Sequence, residues 1–244
     1  MLRSFKVIGG SALAFALLLA VATQWPTQGT AAAAQAQRQV LFNIASNYEP
    51  VVITKVTLAN TVVQTGRFIK PATDAPDATT PFQADDDWIQ NLAVHLLNRT
   101  NKPIVYAMLN FSFPETLNGH MLRGYPLSLG RIPQPADFDR NGSPLRQRPG
   151  LQPILFRPHQ TMVIALADYI DRIKANVEPV IPLATAMQVK VHLIAFYFAD
   201  GMKWDGAFRT PDRQNFTWTK MDRNYFPGDV NLNWPGRPGW IDPQ

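Results

Sequence analysis

The chain has 244 residues, a formal net charge of +5, 46% hydrophobic and 17% charged residues, 21 prolines and no cysteine. That length accommodates one large domain or two small ones, with a hydrophobic core that needs no metal or disulfide staple. The absence of cysteine excludes a disulfide scaffold, a cysteine nucleophile and a thiolate metal site, and the hydrophobic content excludes a disordered chain.

Arg3 and Lys6 form a short positive region, followed by an uncharged stretch from Val7 to Thr23 that carries Leu13, Phe15 and Leu17-Leu18-Leu19. Small residues follow at Ala20-Val21-Ala22 and again from Ala31 to Ala34. This order is that of a secretory signal peptide. Residues 1–36 are therefore expected to be signal and patternless lead, cleaved after Ala22 or, preferably, in the run 34–36. The competing outcome is an uncleaved anchor, since about 17 apolar residues approach the span of a bilayer roughly 30 Å thick. The expected compartment is the periplasm or the exterior of a bacterial cell, and contact with a membrane is expected only through this segment. Loss of Arg3 and Lys6 lowers the net charge from +5 to +3.

Val51 to Leu58 is β-branched and bounded by Pro50 and Asn60, a strand signature. In the next run Leu92, Val94 and Leu96 recur at period two with His95 on the other face, and Ile104 to Phe113 is a second apolar run. The polar turn Asn98-Arg99-Thr100-Asn101-Lys102-Pro103 between them predicts a hairpin. Arg157 to Gln160 separates Ile154-Leu155-Phe156 from a strand over Thr161 to Leu166. The longest strand is expected from Met187 to Phe198, turning at Asp200-Gly201 through a type I′ hairpin into Met202-Lys203-Trp204.

One helix is expected between the last two of these strands. Asp168 is its cap, Ile170, Ile173 and Val177 recur at helical spacing, and Asn176 and Pro179 close it. Pro71 to Asp87 and Pro114 to Gly150 read as loops, the second long enough to be functional. Asp205 to Gln244 is rich in proline and aromatic residues. Strands at short intervals with Pro- and Gly-rich turns predict an all-β, antiparallel β-sandwich with one short helix. The sandwich is placed at 40–204 and the remainder, 205–244, is a C-terminal extension packed on it.

The Asn98–Pro103 turn, the Phe156–Leu166 stretch and Phe198-Ala199-Asp200-Gly201-Met202-Lys203-Trp204 resemble secreted, uncharacterised bacterial β-sandwich proteins with immunoglobulin-like topology. The pattern of that group has an Asn-x-Ser/Thr-x-Lys-Pro turn, a Pro-Gly before a threonine-rich strand and a terminal Asp-Gly-Thr-x-Trp hairpin. This chain carries His159-Gln160 in place of the glycine and Met202 in place of the threonine. The resemblance covers roughly residues 90–205 and implies a fold, not an activity.

Asp137-Phe138-Asp139-Arg140-Asn141-Gly142 matches the first half of a calcium loop, in which alternate oxygens converge on a hard cation. Asp137, Asp139 and Asn141 are the candidate ligands and Ca2+ the one candidate cofactor. Arg148 stands where such a loop needs a bidentate glutamate, so a polar turn with Asn141-Gly142 at positive φ is the competing reading. Asp85-Asp86-Asp87 is either a distant contributor of metal ligands or a solvated loop. His95 and His192 lie opposite the aliphatic faces of their strands and would meet only if those strands pair. His120 and His159 complete the histidines, and no H-x-H or H-E-x-x-H spacing occurs. Asn98, Asn110, Asn141 and Asn215 begin glycosylation sequons, a motif short enough to recur by chance.

No G-x-S-x-G elbow, S-x-x-K pair or phosphate-binding glycine loop is present, and no spacing singles out a carboxylate pair. Catalysis is therefore not the expected role. From Trp204 to Trp240 the chain mixes Phe208, Phe216, Trp218, Tyr225, Phe226 and Trp234 with Arg209, Arg213, Lys220, Arg223 and Arg237. Such residues either bury themselves against the sheet or stack on sugars and hold carboxylates. Trp218, Trp234 and Trp240 are the candidate ligand-binding residues. The expected function is a secreted or periplasmic binding or structural module whose partner is a protein or a polysaccharide, and export argues against nucleic acid. The alternative is a carbohydrate-binding or carbohydrate-active protein using the same aromatics.

Overall fold

The computed structural model describes residues 35–42, 49–66, 80–117, 121–132, 155–212, 217–222, 225 and 227. The smaller of its two sheets has the order β3-β2-β5-β8, with β2 at Val51–Leu58, β3 at Thr61–Thr65, β5 at Leu92–Asn98 and β8 at Thr161–Ala165. The larger is centred on β9, Gln188–Phe198, which pairs along one edge with β6, Ile104–Phe113, and through it with β7, Arg123–Gly130. The other edge of β9 is shared. Its first half takes β1, Ala36–Phe42, in parallel, and β1 in turn takes β4, Phe82–Ala84. Its second half takes β10, Lys203–Trp204, and then β11, Phe208–Asp212, and β12, Thr217–Lys220.

The alternation read from the sequence decides which side chains meet between the sheets. Leu92, Val94 and Leu96 of β5 are buried, as are Leu109 and Phe111 of β6 and Val189, Val191, Phe196 and Phe198 of β9. They join Trp88, Phe113 and Phe156 in one core, so the protein is an all-β sandwich, with a single short α-helix among the described residues. That helix, α1 at Ile170–Val177, buries Ile173 and Val177 and carries the chain from β8 in one sheet to β9 in the other. It begins differently from the expectation. Leu166–Tyr169 forms a 3-10 turn containing Asp168, and Tyr169 occupies the cap position without a side-chain hydrogen bond.

Asn98–Pro103 does not make a hairpin, because β5 and β6 belong to different sheets. The turn crosses the sandwich, and Asn98, Arg99 and Thr100 are fully buried within the crossing. At the end of β9 a hairpin does form, but Gly201 alone has positive φ, at 85°, so the turn is not type I′. Phe198 and Met202 flank a three-residue loop instead. Gly201 N–H donates to the Phe198 carbonyl, and Asp200 Oδ1 accepts from the Met202 N–H at 3.1 Å. Glycine serves here as the left-handed bulge residue of that loop type.

β7 lies inside the stretch expected to be loop. Tyr125 and Leu127 point inward, and Pro126 is tolerated because β7 is an edge strand bonded only to β6. β1 likewise begins at Ala36, within a segment that shows no apolar run, because one of its inward positions is Arg38. Beyond Trp204 the sheet continues through β11 and β12, with Phe208 buried in the core.

Candidate functional site

The registers of the larger sheet place one set of side chains on its outer face. Tyr106 of β6 lies opposite Tyr197 of β9, which lies opposite Lys203 of β10, and then Arg209 of β11 and Lys220 of β12. Their neighbours Ala107, Phe196, Trp204 and Phe208 face the core and are buried. Trp218, two residues before Lys220, shares the outer face.

Its indole is held on several sides. The ring N–H donates to the Gly201 carbonyl at 3.3 Å, the Tyr197 ring packs against it perpendicularly with centroids 5.9 Å apart, and Lys203 Nζ sits 4.7 Å from the centroid over one face. Tyr197 packs in the same way on Tyr106, at 5.5 Å, and the Tyr106 hydroxyl donates to Ser128 Oγ at 2.9 Å. The result is an aromatic ladder from β6 to β12, tied to β7 through Ser128, that ends in a half-exposed tryptophan. Lys203 over one ring face, the Tyr197 ring against the indole and the engaged N–H together fix the orientation of Trp218 at the surface of the sheet. Such a fixed aromatic face binds apolar ring surfaces at little entropic cost.

Charge gathers beside it. Asp205, in the turn between β10 and β11, accepts from Arg209 Nε at 2.7 Å and pairs with Lys203 Nζ at 3.0 Å. Burial opposes ionisation of this carboxyl, but the hydrogen bonds from Arg209 and Lys203 outweigh it and hold its pKa below the ordinary value. Burial, with the nearby Asp205 charge and Tyr106, pushes the Tyr197 phenol up. Arg209 was among the cations noted in the aromatic tail, whereas Tyr106, Tyr197, Lys203 and Asp205 were not singled out from the sequence as site residues. Their signal was present, since Tyr106, Tyr197 and Lys203 each alternate with a buried aromatic or aliphatic neighbour, but it needs the register to be read.

The other candidates resolve differently. Trp204 is buried against Phe196, and Phe208 stacks on Phe198 while meeting Tyr225 edge-on. This part of the aromatic tail is therefore core. Trp234, Trp240, Asp137, Asp139 and Asn141 lie outside the described residues. Among the described residues no group of three His, Asp or Glu side chains is placed to hold a metal ion. His95 and His192 stand on the outer faces of opposite sheets and do not meet. His95 instead contacts Thr57 Oγ1 at 3.3 Å, and burial together with Lys55 lowers its pKa.

Asp86, from the acidic cluster before Trp88, pairs with Arg38 at 3.0 Å. Arg38 is 2% exposed, donates to the carbonyls of Ala184 and Ala186, and lies 5.9 Å from the Trp88 ring, whose N–H donates to Ala186 as well. Asp86 thus closes a buried arginine site at the pole where β1 enters. At the opposite pole Asn98 receives Thr100 N–H and Oγ1–H on Oδ1 and donates to the carbonyls of Lys102 and Arg157. Lys102 pairs with Asp200. Burial, opposed by Glu49, lowers the Arg99 pKa to about 10, which leaves it charged at neutral pH. Asn98 begins a glycosylation sequon, but its amide is buried and fully engaged in the folded chain.

No family model matches the chain, and no curated protein or solved structure is significantly similar to it.

Proposed function

We propose that the chain is an exported, non-catalytic module of immunoglobulin-like topology that binds its partner on the outer face of the larger sheet. Support for the topology comes from the strand order. β2, β5 and β8 share one sheet, β6, β7, β9 and β10 the other, and from β5 onward the chain passes between sheets at β5–β6, β7–β8 and β8–β9. The observation that carries the binding reading is Trp218, half-exposed yet fixed by Gly201, Tyr197 and Lys203. Every other described tryptophan, Trp88 and Trp204, is buried in the core.

A rigid indole face favours a polysaccharide over a protein partner, because sugar rings present flat C–H surfaces that stack on aromatics. Retention of the purified protein on insoluble bacterial and plant polysaccharides, compared with Trp218→Ala, tests this. Retention by the parent and its loss in the variant, with an unchanged circular dichroism spectrum, is the expected result. Retention unaffected by the substitution removes Trp218 from the site. Release of reducing ends during incubation overturns the non-catalytic assignment.

A further inference from the structure

We infer that the polysaccharide bound at Trp218 is acidic, carrying a carboxylate on the sugar that stacks there; this rests on the polysaccharide reading above. The exposed indole is ringed by cations. Arg209 and Lys220 are directly opposite one another on the outer face, and Lys203 lies against the covered side of the ring. Asp205 is the single carboxylate paired with this group among the described residues. Two positive charges are left over.

The guanidinium is also oriented. Asp205 engages Arg209 only through Nε, so the two terminal nitrogens of the fork remain for a second, bidentate carboxylate. Trp218 and Arg209 are diagonal neighbours on adjacent strands, a placement with Cα atoms about 7–8 Å apart. One uronic acid residue therefore reaches both, with its ring on the indole and its carboxylate on the arginine. Lys220, exposed beside them, adds attraction for the next charge along the polymer. A neutral glycan would use the indole and leave the terminal nitrogens of the oriented arginine unused.

Isothermal titration with hexagalacturonate and with neutral galactohexaose tests the inference. The acidic oligomer is expected to bind at least tenfold more tightly in 50 mM salt and to lose about tenfold in affinity at 500 mM. The paired substitutions Arg209→Gln and Lys220→Gln, both at the surface, are expected to abolish this preference, and Trp218→Phe to retain part of the binding. Equal binding of the two oligomers, or an unchanged preference in the paired variant, overturns the acidic assignment and leaves the polysaccharide reading standing. Failure of both oligomers to bind, together with no retention on any polysaccharide, removes both. Uptake of dextran sulfate equal to that of hexagalacturonate and insensitive to Trp218→Ala identifies unspecific attraction to polyanions and likewise overturns it.

Discussion

Asn98 uses every hydrogen-bonding position of its amide, two as donor and two as acceptor, inside a crossing from which water is excluded. Asn98→Ala orphans the buried Thr100 N–H and leaves the Lys102 and Arg157 carbonyls with one donor each, the Thr100 hydroxyl and the Gln160 N–H; an orphaned buried group costs about 1–3 kcal/mol. The expected loss is about 3 kcal/mol, read as a lower denaturant midpoint at an unchanged slope. Asn98→Asp is expected to be no better, since a carboxylate cannot donate to the two carbonyls. His95 gives a pH signature. Its pKa is lowered in the fold, by burial first and by Lys55 second. The unfolded chain therefore binds the proton more readily, and stability is lost as pH falls through the ordinary histidine range near 6.5. Melting temperature is expected to decline between about pH 7.5 and about pH 5.5, and less so in His95→Gln.

At the scale of elements, two turns hold non-glycine residues at positive φ. Ala59, φ 52°, starts the two-residue loop between β2 and β3, and His159, φ 58°, follows Pro158 in the turn before β8. Left-handed backbone costs an L-residue roughly 1–2 kcal/mol, partly offset by the greater chain entropy of glycine when unfolded. Ala59→Gly is expected to stabilise by about 0.5 kcal/mol, measured by thermal unfolding. Gly130 is the converse case. A Cβ there would lie 2.1 Å from the Val105 carbonyl oxygen, at a φ of 80°. Gly130→Ala is expected to shift the end of β7 and cost about 2–3 kcal/mol.

The elements most legible in the sequence were those whose alternation is unbroken. β5, β6, β8 and β9 fall within a residue or two of where their apolar periodicity places them. β7 was hidden by Gly124 and Pro126, and β1 by an inward arginine, because burial of Arg38 depends on Asp86 and on two carbonyls far along the chain. The same distinction governs the site. Trp218 is visible as a tryptophan among cations, Arg209 included, whereas Tyr106, Tyr197 and Lys203 join it only through strand registers, which no local pattern encodes. The Asn98–Pro103 segment shows the limit of turn chemistry, since its polar composition fits a surface hairpin and a buried crossing equally well.

At the scale of the whole molecule, stability rests on one core and on pairings between distant parts of the chain. β1 and β9 join residues 39–42 to 188–191, so the first strand docks only after nearly the whole sandwich sequence is available. Such non-local topology predicts folding in milliseconds to seconds rather than microseconds. Pulse-labelling hydrogen exchange is expected to show the β1 amides protected later than those of β6 and β9. Early protection of β1 would contradict that order.

The parallel pairing of β1 with β9 also sets a direction. Gln39 of β1 lies beside Gln188 at the start of β9, whereas Trp218 packs on Tyr197 near its end. The eleven residues of β9 extend about 35 Å at roughly 3.3 Å each. The start of β1 and the tryptophan therefore lie toward opposite ends of β9, so a substitution in β1 can loosen that edge of the sheet without reaching the aromatic face.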